Sequence, residues 1–309
     1  MWRNLRGVNE MTELSWGILL AAYIFVGGMA GGAFMIAALA DLFGKEKYRE
    51  LSKSGTYVSI ISILVGLVLL VLDLGRFEVD PLGILNAFRH FPTSMMTVGT
   101  WIISALTIVA LMTALMWIFE GLTIARKLLG IVGFILGGST TAYTGLLLAF
   151  ARGRPFWTSP FLPWTFIVSG ALTGLAMSLL LIPVITLFVP RFSPDFKTLV
   201  NDKQRFANVL ITSQRYVFIM IIIELGLVLI EILTGHFGAL LNLGGLSILF
   251  FIYVTLGLLL PLAVAYFMQK TEYISVVMQA RISMISFVLI LVGGFLLRYV
   301  ILTAGQLIL

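Results

Sequence analysis

Polar and apolar positions fall in long blocks along this chain. Apolar runs cover roughly residues 14–39, 56–74, 94–118, 128–150, 161–189, 216–234, 244–267 and 282–303, with short polar stretches between them. About 20 apolar residues are enough for a helix to cross a bilayer. The pattern therefore predicts an all-α integral membrane protein with eight transmembrane helices. The run 161–189 is long and holds Pro183, which leaves seven or nine spans as alternatives. The polar stretch Pro190–Arg205 is the one candidate boundary. It divides the chain into 1–189 with spans one to five, a polar linker at 190–208, and 209–309 with spans six to eight.

Composition narrows the chemistry. The chain is 60% hydrophobic and 11% charged, with a mean hydropathy of +1.08. No soluble chain of this size needs so much apolar surface. The absence of cysteine excludes disulfides, thiolate zinc and cysteine-ligated iron–sulfur clusters. The two histidines, His90 and His236, lie outside the apolar runs, so no intramembrane histidine is available to ligate haem. The expectation is a subunit without haem or iron–sulfur cluster of its own.

The net charge of +6 reads as a topology signal and not as a nucleic-acid surface. Loops after odd-numbered spans, with the approach to span six, hold thirteen basic residues: Lys45, Lys47, Arg49, Lys53, Arg126, Lys127, Arg191, Lys197, Lys203, Arg205, Arg215, Lys270 and Arg281. The other side holds six: Arg3, Arg6, Arg76, Arg89, Arg152 and Arg154. Basic residues concentrate on the cytoplasmic side, so both termini are expected on the extracytoplasmic side. The outer arginines are then either interfacial anchors or contacts for a partner or a polar head group.

Several intramembrane residues are candidates for chemistry. Tyr23 precedes Gly27, Gly28, Gly31 and Gly32, whose four-residue spacing allows close helix approach. Gly133 with Gly137 and Gly170 with Gly174 repeat that spacing. Tyr143 enters from the outer end of span four. Placed at similar depth, two phenols can hydrogen-bond one buried ring, or each can be a packed aromatic with a local partner. Asp73, at the end of span two, is an ionisable group in an apolar run. It is a proton acceptor, a head-group anchor, or half of a helix-end pair with Arg76. His90 titrates near neutral pH or is a solvated loop residue. The stretch from Asn86 reads as an interfacial helix stopped before Pro92, with Thr93 or Ser94 capping span three. Glu224 and Glu231 share one face of span six. A Glu231–Arg298 pair is expected, and Glu224 is either a proton-relay group or a protonated acid bonded between helices. After Tyr143 the chain runs into Arg152-Gly153-Arg154-Pro155-Phe156-Trp157, a short outer loop that draws attention as a docking point.

Four stretches resemble the NrfD/PsrC-like family, the membrane subunits of polysulfide-reductase-type complexes. They are YIFVGGMAGGAF from Tyr23, LDLGR from Leu72, HFPTSMMTVGTW from His90 and AYTGLLLAFARGRPFW from Ala142. They occur in the family's order across roughly residues 14–175. The resemblance implies eight helices built as two four-helix bundles, with an exchangeable quinone, such as menaquinone, bound in the first bundle near the outer face. It implies a four-cluster ferredoxin-like iron–sulfur subunit docked there and a molybdopterin catalytic subunit beyond it. The family's YTG tyrosine falls at Tyr143, and its first-helix polar ligand, a histidine in some members, falls at Tyr23. Arg76 and His90 complete the expected quinone set. Asp73 and Glu224 are the expected proton-handling groups, and Arg89, Arg152, Arg154 and Trp157 the expected docking residues. Such a subunit belongs in the cytoplasmic membrane of a prokaryote. Two other classes stay open: a secondary transporter or ion channel using Asp73, Glu224 and Glu231, and a passive anchor that binds no quinone.

Overall fold

A computed structural model describes residues 16–74, 88–89, 91–119, 122–151, 154–188, 194–270 and 275–308. Among the described residues ten α-helices follow one another: α1 (Ile18–Phe43), α2 (Arg49–Leu74), α3 (Met95–Ile118), α4 (Thr123–Ala149), α5 (Leu162–Phe188), α6 (Pro194–Asn201), α7 (Lys203–Leu233), α8 (Gly245–Ile252), α9 (Leu260–Lys270) and α10 (Val276–Leu307). The wide turns Tyr253–Leu259 join α8 and α9 into one span. Eight helices are then long and apolar enough to cross a membrane, as the hydropathy blocks predict. There is no strand among the described residues.

Two boundaries move in an instructive way. Span six was expected to start at 216, yet α7 begins at Lys203. Most of the expected linker is also helical, because α6 is a short amphipathic helix. Its Phe196 and Leu199 are fully buried, and Phe196 meets Tyr57 edge-on at 6.4 Å between ring centres. A run of eight residues with a charged face reads as polar by composition although one face is core. The N-terminus of α7 is fixed by Asp202, whose carboxylate accepts the Arg205 N–H at 3.0 Å.

α1 and α5 are the most enclosed spans. α1 packs against α2, α4 and α5, and α5 reaches across to α7 and α10. Glycine makes this possible. A Cβ on Gly31 would run into the Gly137 carbonyl, and one on Gly32 into the Gly170 carbonyl. Backbones therefore touch where α1 crosses α4 and α5, the contact expected of small residues four apart. From Val217 onward α7 buries one narrow stripe: Val217, Ile221, Glu224, Val228 and Glu231. Alternating steps of four and three put these on one helix face. Both carboxylates occupy positions that would ordinarily be aliphatic.

The widened turn has a local cause. Pro261 has no N–H to return to the Gly257 carbonyl, and its ring would press on that carbonyl in a regular helix. The backbone before it opens to i→i+5 bonding, with the Leu260 N–H reaching Thr255. Gly257 meets Gly293 of α10 at the same level, where a Cβ would lie 2.7 Å from the Gly293 Cα.

Candidate functional site

Tyr23 and Tyr143, which the sequence places at similar depth, stand near each other. α1 starts at Ile18 and α4 ends at Ala149, so the two phenols lie about 8 and 9 Å from their helix ends at 1.5 Å per residue. Tyr23 is therefore shallower than a span beginning at residue 14 implied. The two side chains are 9% and 3% exposed and stand within electrostatic reach of each other. Gly99 of α3 explains how Tyr143 fits: its missing side chain leaves a slot that the phenol end of the ring fills completely. The TVGTW and YTG stretches are thus two halves of one contact. Across α1, Tyr23 faces Gly66 of α2, whose Cβ would lie 3.8 Å from its ring. Neither phenol has a hydrogen-bond partner among the described residues. By contrast, nearby threonines bond back to their own helix: Thr144 donates to the Thr141 carbonyl at 2.7 Å and Thr141 to Gly138 at 2.8 Å.

The other expected members of this site are only partly visible. Asp73 lies in the last turn of α2, but its side chain, like Arg76, His90 and Arg152, lies outside the described residues. The same holds for most of the expected interfacial helix from Asn86. Arg89 is exposed. Ser94 is the N-cap of α3 by backbone geometry, without the expected side-chain hydrogen bond.

The loop after α4 is a clamp. Trp157 was expected to meet a partner, but it is 2% exposed and its surface is used internally. It stacks on Trp16 with ring centres 5.2 Å apart and planes 9° from parallel. Its indole N–H donates to the Ile301 carbonyl at 2.9 Å. Gly305 leaves the room for it on α10. Arg154 donates through Nη1 to the Gln306 carbonyl at 2.7 Å, so at least one arm of this expected docking residue is held within the fold. Gln306 in turn accepts the Trp16 N–H at 2.9 Å and donates to the Trp16 carbonyl at 3.0 Å. Phe156 stacks on Phe237 at 5.8 Å. The sequence reading overlooked Trp16 and Gln306; the amide in the last turn of an apolar helix was the available signal.

A second polar cluster lies between α1, α5, α7 and α10. Glu224, 1% exposed, accepts a 2.8 Å hydrogen bond from the Tyr253 hydroxyl at the start of the wide turns. Arg298, also 1% exposed, interacts electrostatically with Glu224. Its Nη1 donates to Ser169 Oγ at 3.1 Å and to the Gly294 carbonyl at 2.8 Å. Ser169 stands beside Glu224 as well. Phe25 and Phe166 flank the guanidinium at 5.6 and 5.2 Å from their ring centres. A Cβ on Gly28 would come within 2.9 Å of Arg298 Nη2, so a larger residue there would push the guanidinium aside. The expected Glu231–Arg298 pair is absent. Glu231 instead accepts from Ser159 Oγ at 2.7 Å and lies 3.9 Å from His236 Nδ1. Two helical turns, about 10 Å, separate Glu231 from Glu224. A helix face alone could not say which carboxylate Arg298 would meet. Tyr253 was missed because a tyrosine in an apolar run looks like packing. Oε2 of both Glu224 and Glu231, and Nε and Nη2 of Arg298, have no hydrogen-bond partner.

The sequence is similar to known proteins. The family described as "Polysulphide reductase, NrfD" matches residues 7–309. A subunit of the polysulfide reductase of Wolinella succinogenes is 27% identical over 99% of this chain and 98% of its own length. A protein NrfD homolog of Haemophilus influenzae is 26% identical over 96% of this chain and 95% of its own. An Hdr-like menaquinol oxidoreductase integral membrane subunit of Archaeoglobus fulgidus is 25% identical over 56% of this chain and 43% of its own.

Proposed function

Because this chain belongs to the NrfD polysulphide reductase family, we propose that it is the membrane subunit of a respiratory oxidoreductase, exchanging electrons between menaquinol and an extrinsic iron–sulfur subunit. The observation that carries this reading is the pair of buried tyrosine side chains, Tyr23 and Tyr143, within electrostatic reach of each other and without a hydrogen-bond partner among the described residues. A buried phenol O–H ordinarily has a partner. Lipid tails offer none, whereas a quinone ring presents oxygens at its two ends. The name of the archaeal relative points the same way.

A bound quinol supplies two electrons and two protons. Tyr143 would hold one ring oxygen through its hydroxyl, with Gly99 and the α4 backbone fixing the phenol's direction. Tyr23 would hold the same ring from α1. Burial of both side chains keeps bulk water from competing for these hydrogen bonds. Asp73, at the outer end of α2, would accept a proton and pass it to water at that face, with Arg76 and His90 close in sequence. The chain has no cysteine to ligate a cluster, so electrons would pass to the extrinsic subunit. Arg89 and Arg152 would help hold that subunit, with a molybdopterin subunit beyond it. Glu224, with Tyr253, Glu231 and His236, is the candidate proton route of the second half.

The test is quinol-dependent reduction of the partner's clusters in the purified complex. Tyr143→Phe keeps the ring volume and removes only the hydroxyl. Loss of one such bond costs about 0.5–1.5 kcal/mol, so quinol affinity should weaken roughly two- to tenfold. Tyr23→Phe should act on the same step. Wild-type affinity and rate in both variants would remove the phenols from the site and leave the passive-anchor reading.

A further inference from the structure

The end of the bundle opposite the phenols carries two adjoining cavities of different character. One, of about 590 Å³, is polar and open, lined by Lys47, Asp202, Gln204, Arg205, Asn208 and Thr212. The other, of about 470 Å³, is almost wholly apolar. It runs between α1 and α7, with Leu39 and Phe43 on one side, Ile219 and Met220 on the other, and Ala171 and Leu175 of α5 as its floor. Both volumes fall in the range of small-molecule sites.

Tyr48 joins the two. It lines the apolar groove, and its hydroxyl stands beside those of Thr212, in the polar pocket, and Tyr216, in the groove. From Met35 to Phe43 the groove follows α1 for about 12 Å, close to the depth of one leaflet of a roughly 30 Å hydrocarbon core. The polar pocket begins just beyond, where α1 has ended at Gly44.

The charges around the pocket favour an anion. Lys47 and Arg205 line it, and exposed Lys203 and Arg215 lie on the same first turns of α7. Opposing them are Asp202 and Glu50, the latter bonded to Arg205 at 2.8 Å. Among the described residues these four cations outnumber the two carboxylates, which leaves a positive excess at this end of the bundle. Basic pockets between helices on this side of a membrane are suited to anionic head groups.

We propose that this end of the chain binds one anionic phospholipid, its phosphate beside Lys47 and Arg205 and an acyl chain in the groove between α1 and α7. The lipid fills the gap between the first span and the sixth over the α5 floor. It thereby ties together helices from the two halves of the chain. The site lies away from the phenols and is independent of them.

The experiment strips lipid from the purified protein in detergent. Phosphatidylglycerol or phosphatidylcholine with identical acyl chains is then added back. Binding is read by native mass spectrometry and by unfolding temperature. Phosphatidylglycerol should bind at least about tenfold more tightly and raise the unfolding temperature more. Lys47→Gln, an exposed change, should lower phosphatidylglycerol affinity roughly fivefold, as expected for one cation near a lipid surface. Leu39→Trp, which fills the groove from its lipid side, should weaken both lipids. Inorganic phosphate should neither displace the lipid nor stabilise the protein. Equal affinity for the two lipids, unchanged phosphatidylglycerol binding in both variants, or displacement by phosphate alone would overturn the proposal.

Discussion

Single side chains decide two features of this protein. The first is the slot that Gly99 leaves for Tyr143. Any side chain at 99 must displace the ring, because the contact is with the phenol itself and not with a flexible tip. Gly99→Val should therefore abolish quinol-dependent turnover while Gly66→Ala, facing Tyr23 at ordinary contact distance, leaves it within about threefold of wild type. Equal activity in both variants would show that the ring of Tyr143 has no fixed role. The second is the balance of Glu224 against Arg298. Removing one partner of a buried charge pair costs about 3–5 kcal/mol, because the other charge stays buried without compensation. Glu224 and Arg298 interact without a direct bond, so Arg298→Gln should lower stability by at most this order in thermal unfolding, and Glu224→Gln/Arg298→Gln should recover part of it. If the double variant is the sum of the singles, the two groups do not compensate each other. For the same reason Tyr253→Phe is the cleaner probe of a proton route: it changes hydrogen bonding at Glu224 and leaves the charges in place.

At the scale of elements, the loop from Arg154 to Trp157 ties the start of α1 to the end of α10. Trp157→Phe would lose the indole bond to Ile301 and part of the stack on Trp16. A cost of about 1–2 kcal/mol is expected, read as a lower unfolding temperature and faster proteolytic cleavage of the loop. A variant as stable and resistant as wild type would mean the clamp contributes little. This element also shows what the sequence discloses. Eight spans were legible because an apolar run of the right length has few alternatives in a bilayer. The glycine crossings of α1 were legible because four-residue spacing puts small residues on one face. The role of Trp157 was not, since its partners Trp16 and Ile301 are about 140 residues away along the chain in either direction. An aromatic residue in a short loop looks the same whether it faces a partner or its own fold. Likewise α7 extended through a polar stretch because amphipathic helices need only one apolar face, and the widening at Tyr253–Leu259 follows from Pro261 only once a helix is known to continue through it.

For the whole molecule, the division of basic residues sets the expected orientation. The clusters at the ends of α1, α2, α4 and α7 are built into the fold there. Arg126 clasps Asp41 through two bonds of 2.9 and 2.8 Å and lies over the Trp117 ring at 3.5 Å. That end is expected in the cytoplasm, with the phenols near the other face. A reporter fused after Leu309 should be active only in its extracytoplasmic form; cytoplasmic activity there would reverse the orientation. On that face, Arg89→Glu with Arg152→Glu should release extrinsic subunits while the membrane part stays folded. A complex that co-purifies intact would reduce these arginines to interfacial anchors.

Gln306 grips both backbone groups of Trp16, and Arg154 grips the Gln306 carbonyl. In the order of synthesis this latch closes late. The first span enters the membrane with its outer end untied, and the loop beside it waits as well, until the eighth span has been made and inserted. The same three residues thus couple the first span to the eighth once both are in place.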